Sequence, residues 1–151
     1  MIELLESGCA LIVGTVTATG APCAGRGWGL RIGADGTSAH LLLDAAIIPK
    51  LGHEGDAFVG TYVAVTGCDV ETYRSLQVKG PVTAVLDVTE DDRRHFAAYS
   101  EAYFSAIQHV DRIPREFVDR MAPTAISALT FDIVDIFDQT PGPSAGRVVA
   151  R

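Results

Sequence analysis

Basic residues are scarce in this chain: 12 lysines and arginines stand against 19 aspartates and glutamates, and the formal net charge is −7. A protein that binds a nucleic-acid backbone or an anionic membrane needs clustered lysine and arginine side chains. We therefore expect no nucleic acid and no membrane among the partners. A small anionic molecule is still a candidate ligand, because a few converging basic side chains are enough to bind it.

Cysteine is also rare, and metal-binding spacings are missing. Cys9, Cys23 and Cys68 are widely separated. An odd count without a CxxC pair predicts neither a disulfide framework nor a zinc knuckle. The four histidines show neither His-x-His nor His-Glu-x-x-His spacing, so we expect no metal site.

Long hydrophobic runs are absent too. No apolar segment approaches the roughly 20 residues that span a bilayer. The first six residues include two glutamates and none of the basic residues that begin a signal peptide. The chain has 151 residues, 48% of them hydrophobic, which suits one domain with a sizeable core. We expect a cytoplasmic protein.

The hydrophobic residues that are present mostly follow the pattern of β-strands, separated by glycine, proline and aspartate turns. Strands are predicted at about 9–18, 23–32, 38–43, 57–66, 72–87 and 125–137. Because these strands come in consecutive runs, a doubly wound α/β sheet is excluded. We predict a mainly β protein (α+β by content), a six-stranded antiparallel split β-barrel with peripheral helices.

Helices are predicted around the barrel, and a tail is predicted at the end of the chain. A capping-box pattern at Thr89 opens the longest helix, and its aromatic stripe is best read as core packing. The segment 1–138 is predicted to be the folded domain and 139–151 a tail rich in proline and glycine. We expect residues 139–146 to be a loop and the tail to cover a ligand site.

The segment 24–29 reads Ala-Gly-Arg-Gly-Trp-Gly and continues as a strand, so it is not a dinucleotide fingerprint, which would open a helix. Alternation predicts that Gly25, Gly27 and Gly29 share one face. Such a slot favours close approach of a ligand or, equally, tight packing. Arg26 and Trp28 on the other face could wall a flat ligand, although Trp28 could also be part of the core.

The segment 72–80 is a second candidate ligand-binding strand. Alternation places Tyr73, Ser75, Gln77 and Lys79 on one face and Arg74 on the other. The first face offers a phenol, a hydroxyl, an amide and an ammonium, which could bind the polar rim of an isoalloxazine ring. An ordinary solvent-exposed strand face has the same pattern.

The order of these segments resembles the FMN-binding split-barrel family related to pyridoxamine 5'-phosphate oxidase. The resemblance covers roughly residues 3–88, and the last strand fits the closing strand of the barrel. It implies a homodimer with FMN at the interface, a cation after the third strand that holds the phosphate, and a flavin-lining strand with the pattern R-Q-x-R-x-x-G. Lys50 matches that cation, while Arg74 and Gly80 match the ends of the pattern.

The candidate cofactor-binding residues, from strand alternation and from the resemblance together, lie on the two strands and the short helix between them. They are Arg26, Gly27, Trp28, Lys50, Tyr73, Arg74, Ser75, Gln77 and Lys79. Ser75 stands where the family usually has a flavin-contacting glutamine, and Gln77 where it often has arginine. The family's C-terminal substrate residues are not matched, so oxidation of pyridoxamine phosphate itself is not predicted.

The leading hypothesis is thus an FMN-binding oxidoreductase that acts on a small-molecule substrate. No catalytic side chain is predicted, because the flavin carries the redox chemistry in such enzymes. Two alternatives stay open. The same barrel could bind a deazaflavin, or a haem with His53 or His109 as axial ligand, or it could be a homodimer without a cofactor.

Overall fold

The computed structural model describes residues 2–50 and 58–150, without the side chains of residues 49 and 50. Its strands are β1 Ala10–Val16, β2 Pro22–Ile32, β3 Ser38–Asp44, β4 Tyr62–Cys68, β5 Ser75–Leu86, β6 Ile126–Asp132, β7 Asp135–Asp138 and β8 Arg147–Ala150. The helices are α1 Glu3–Glu6, α2 Ile47–Lys50, α3 Glu90–Asp111 and α4 Arg115–Asp119. None of the described helices is long and apolar enough to cross a membrane.

Six antiparallel strands form the predicted closed barrel. They follow the order β4-β1-β2-β3-β6-β5, and the pairing of β4 with β5 closes the ring. β6 enters between β3 and β5 although it comes late in the chain, so it joins the first meander to the second hairpin. Closure removes the free strand edges that would otherwise invite aggregation.

Strand alternation fills the barrel with aliphatic side chains and one phenylalanine. Leu11, Val65, Val78, Leu129 and Phe131 are each at most 1% exposed and belong to one cluster. Complete burial of side chains of this size stabilises the fold by about 1.5–3 kcal/mol each. The positions between them on the same strands face outward.

The long helix α3 covers β2 on the outside of the barrel. Thr89 caps its first turn, and the Asp92 carboxylate accepts the backbone N–H of Thr89, which completes the predicted capping box. Tyr103 and Phe104 on the inner side of the helix pack against Trp28 of β2. The predicted aromatic stripe is therefore core packing between helix and barrel.

A β-bulge in β2 changes the predicted faces of the glycine-rich segment. Gly27 is paired with Leu43 and Gly29 with the adjacent Leu42, so one extra residue is inserted into β2 at this point. A Cβ on Gly27 would lie 2.9 Å from the Leu11 side chain inside the barrel, whereas one on Gly29 would lie 2.9 Å from His95 of α3. Gly25 and Gly27 share one face, as predicted, but Gly29 lies on the other, because the bulge interrupts the alternation.

The end of the chain also differs from the sequence prediction. The predicted strand 125–137 is two strands, because the N–H of Ile133 is donated to Thr37 at the end of β3 while that of Val134 is donated to Lys79 of β5. Residues 139–146 are a loop, as predicted, but β8 then pairs with β7 and extends the sheet.

Candidate functional site

An apolar concavity of about 500 Å³ lies on the outer face of the barrel across β2, β1, β4 and β5. Its floor has few side-chain atoms, since Gly14 is paired with Ala24 on one side and with Ala64 on the other. Lys79 of β5 is opposite Ala64 and forms the basic edge. The concavity therefore combines a flat apolar floor with one cation.

The neighbouring row of the same outer face is polar on β4 and β5. Ile12 is paired with Thr66, and Thr66 with Gln77. The Gln77 amide donates a hydrogen bond of 2.7 Å to the Thr66 hydroxyl and accepts one of 3.4 Å from Gln139. Gln77 and Lys79 thus share one outer face, as predicted, and Gln77 is held in a fixed orientation beside the concavity.

The candidates of β2 lie elsewhere, beneath α3. Trp28 is 3% exposed, and its ring packs edge-on against Phe104 with centroids 5.9 Å apart. The Arg26 guanidinium lies 4.9 Å from the Tyr103 ring centroid and donates a 2.6 Å hydrogen bond to its hydroxyl. Arg26 and Trp28 therefore hold the helix on the barrel, Gly27 faces the barrel interior, and none of the three lines the concavity.

The remaining candidates lie at the start of β5 or at the end of α2. The chain around Tyr73 is a turn with a positive φ of 59°, in which the Tyr73 N–H is donated to the Asp69 carbonyl oxygen. The prediction that Tyr73 shares the strand face is therefore wrong. Ser75 is buried and donates to the Tyr73 carbonyl, and Arg74 lines a different cleft. The side chain of Lys50 lies outside the described part.

Of the two alternative axial ligands for a haem, only His109 is among the described residues, and it does not line this site. His109 is exposed on the last turn of α3, away from the residues that line the concavity. His53 lies outside the described residues. The small residues Gly14, Ala24 and Ala64 were not predicted as site residues, although small residues at outward strand positions could have indicated a side-chain-poor surface.

No protein-family model matches the sequence, and no curated protein is significantly similar to it. Among solved structures, HupZ of Group A Streptococcus is 18% identical, covers 97% of this chain and 96% of its own, and has a TM-score of 0.51. An F420 reductase is 13% identical, and the match covers 89% of this chain and 94% of that protein with a TM-score of 0.54. A putative pyridoxamine 5'-phosphate oxidase of Lactobacillus delbrueckii is 16% identical, and the match covers 90% of this chain and 88% of that protein with a TM-score of 0.48.

At these identities the likeness is one of fold, and it extends over most of each chain. The structure has the ring of six strands and the covering helix that the sequence predicts. The chain therefore has the split-barrel fold that its sequence predicts, and it shares this fold with HupZ and the F420 reductase.

Proposed function

We propose that this protein binds FMN in the concavity and acts, as a homodimer, as a flavin-dependent oxidoreductase on a small molecule. The observation that carries the proposal is the flat, side-chain-poor floor of Gly14, Ala24 and Ala64 next to the polar side chains of Gln77 and Lys79. Ligand sites are typically apolar with a few fixed polar groups, and this arrangement matches the apolar faces and polar rim of a flavin.

The residues present fit an isoalloxazine ring in shape and in chemistry. A Cβ placed on Gly14 would meet no atom closer than 3.9 Å, so the space above the floor is open to a planar ligand. The Thr66 hydroxyl and the Gln77 amide lie beside it as hydrogen-bonding groups. Lys79 adds a positive charge, which favours an anionic group of the ligand at that edge.

The flavin itself would supply the hydride or electron transfer. The residues of the chain would bind and orient it. The strand floor would fix the plane of the ring, and Gln77, held by Thr66 and Gln139, would fix its rotation in that plane. The ammonium of Lys79 lies 4.4 Å from the Phe137 ring centroid, which restrains the cation at the edge of the concavity.

A second copy of the chain is the proposed cover of the concavity. Ile12 is 46% exposed and Tyr62 is 59% exposed on the same outer strands. Apolar side chains grouped beside a pocket are typical of interaction sites, and twofold pairing is the commonest closed symmetry. We expect light scattering to give a dimer mass and Tyr62→Lys to shift it toward the monomer, whereas a monomeric wild type would refute the dimer.

The cofactor is tested by adding FMN to the purified protein, removing free ligand and measuring the flavin absorbance that stays with the protein. Gly14→Leu should abolish retention without loss of stability, because the new side chain would occupy the open space above the floor. Ala98→Leu on the exposed side of α3 is the control and should retain FMN. Protein that stays colourless with FMN would contradict the proposal.

The contribution of Lys79 is tested separately. Lys79→Gln should weaken FMN binding roughly ten- to a hundredfold, as expected for loss of a charge-assisted contact of about 1.5–3 kcal/mol. The same substitution should change riboflavin binding less if Lys79 contacts the phosphate. Equal losses for both ligands would show that Lys79 does not recognise it.

A deazaflavin is the second candidate cofactor, because the F420 reductase shares the fold with a TM-score of 0.54. Parallel titrations with FMN and with F420 discriminate the two. Tighter binding of F420 would replace FMN in the proposal and leave the location of the site unchanged, since Gly14→Leu should block either ring.

A further inference from the structure

A second cleft, of about 150 Å³, lies at one end of the barrel between the start of β5 and the β7–β8 hairpin. Arg74, the residue before β5, lines it on one side, and Arg147 of β8 lines it on the other. It shares no lining residue with the concavity on the outer strands. The cleft is therefore a separate feature of the molecule, and the proposed flavin site makes no use of it.

The charge of this cleft is unusual for a protein with a net charge of −7. Two arginines line it against a single acid, Asp138. None of the ion pairs among the described residues involves Arg74 or Arg147. Glu3 and Asp69 line an adjoining cleft that Arg74 also lines, so two further acids lie near Arg74, whereas Asp138 is opposite Arg147.

Asp138 is already engaged by its own loop. One carboxylate oxygen accepts the backbone N–H of Thr140 at 2.9 Å, and the other accepts the hydroxyl of Ser144 at 3.3 Å. The backbone and side-chain hydrogen bonds of Thr140 lower the pKa of this carboxyl, and Arg147 adds to the effect. Asp138 therefore stays charged while fixing the loop, and the donors of the two guanidinium groups are left for a ligand.

The walls of the cleft are held by backbone pairing. Asp138 and Arg147 are opposite each other in the β7–β8 ladder. The N–H of Ser75 is donated to the Thr140 hydroxyl at 3.1 Å, and the N–H of Gln139 to the Ser75 carbonyl at 2.9 Å. These bonds tie the hairpin to β5, so the positions from which Arg74 and Arg147 extend are set before any ligand arrives.

We propose that this cleft binds a small oxyanion, a phosphate or carboxylate group, between Arg74 and Arg147. A guanidinium can donate two parallel hydrogen bonds to such a group, and two guanidinium groups line this one cleft. The volume is below the roughly 300–1,000 Å³ of pockets that enclose larger organic ligands. The site therefore suits a free anion or the anionic end of a small metabolite.

Isothermal titration calorimetry on the full chain tests the proposal, with inorganic phosphate and acetate titrated separately at constant ionic strength. We expect one anion per chain for at least one of the two, and the tighter one identifies the anion class. Arg147→Gln should weaken it roughly ten- to a hundredfold. Arg120→Gln, at the residue that follows α4 and lines no part of the cleft, is the matched control and should bind as wild type does.

Arg147 is exposed on an edge strand, so Arg147→Gln should leave the circular dichroism spectrum unchanged. Arg147→Lys keeps the charge but loses the paired donors, and its affinity should fall between wild type and Arg147→Gln. Failure of both anions to bind would overturn the proposal, and so would equal affinity of wild type and Arg147→Gln. FMN retention by Arg147→Gln should be normal, which separates this test from that of the flavin site.

Discussion

The sharpest stability prediction concerns Asp92, where the N-terminus of α3 meets the barrel. Asp92 is 2% exposed, and its carboxylate accepts the Thr89 N–H at 2.9 Å, the Thr89 hydroxyl at 2.7 Å and His40 Nε2 at 2.8 Å. Asp92→Ala removes the capping box and takes the acceptor away from the Thr89 and His40 donors. The adjacent Asp91 is the matched control, since its side chain is 60% exposed and pairs with Arg31 at 2.7 Å.

Asp92→Ala should lower the free energy of unfolding several-fold more than Asp91→Ala does. Loss of a helix cap costs about 1 kcal/mol, and removal of one partner from a buried, hydrogen-bonded charge pair costs about 3–5 kcal/mol. His40 is partly exposed, so we expect about 3 kcal/mol for Asp92→Ala, or a fall in melting temperature of roughly 6–12 °C for a chain of this size. An exposed ion pair contributes about 0–1 kcal/mol, which sets the expectation for Asp91→Ala.

Urea unfolding followed by tryptophan fluorescence is the assay, because the only tryptophan, Trp28, packs directly against α3. Burial alone would raise the pKa of Asp92, but the hydrogen bonds from Thr89 and the charge of His40 offset it and hold the pKa below its ordinary value. A carboxyl with a lowered folded-state pKa stabilises the fold above its unfolded-state pKa, near 4, and loses that contribution as the pH falls through its folded-state pKa.

The stability gap between wild type and Asp92→Asn should therefore be full at neutral pH and shrink as the pH falls below about 4. Equal unfolding free energies for Asp92→Ala and Asp91→Ala at neutral pH would refute the reasoning. If the difference in unfolding free energy between wild type and Asp92→Asn did not change with pH, the carboxylate charge would not be what stabilises the helix.

Two further predictions concern packing and chemistry inside the barrel. Gly80→Ala should lower the free energy of unfolding by several kcal/mol, because a Cβ there would lie 1.7 Å from the Asp132 carbonyl oxygen. Gly14→Ala should be tolerated, and similar melting temperatures for the two variants would contradict this. Burial raises the pKa of Cys9 to about 11, with a smaller opposing effect of the Tyr99 hydroxyl 3.3 Å away. A thiol reagent at neutral pH should therefore leave Cys9 unmodified until the protein unfolds, and mass spectrometry can check this.

Much of the fold could be predicted from local pattern, because the strand runs are separated by turns and the capping box at Thr89 marks the start of a helix. The break between β6 and β7 could not. Residues 133 and 134 are as suited to a strand as their neighbours, and what divides the segment is the change of partner from Thr37 to Lys79. Such a change depends on tertiary pairing and leaves no signal in the local sequence.

The candidate site was predictable only where strand alternation held. Gln77 and Lys79 lie on the expected outer face, since the strand is regular there. Tyr73 does not, because the Asp69 carboxylate accepts the N–H groups of Glu71 and Thr72 and the chain turns before the strand begins. In β2, Trp28 faces the helix that follows much later in the chain, and a single-strand pattern does not contain that partner.

The late entry of β6 has a consequence for how the protein is made. While a ribosome is still synthesising α3 and α4, β3 already exists and its outer edge has no strand to pair with. That edge carries three consecutive leucines, Leu41 to Leu43, a segment of the kind that pairs with other chains when it is exposed. The nascent protein is thus most vulnerable to aggregation just before β6 emerges, and β6 ends that period by covering the leucine-rich edge and completing the barrel in one step.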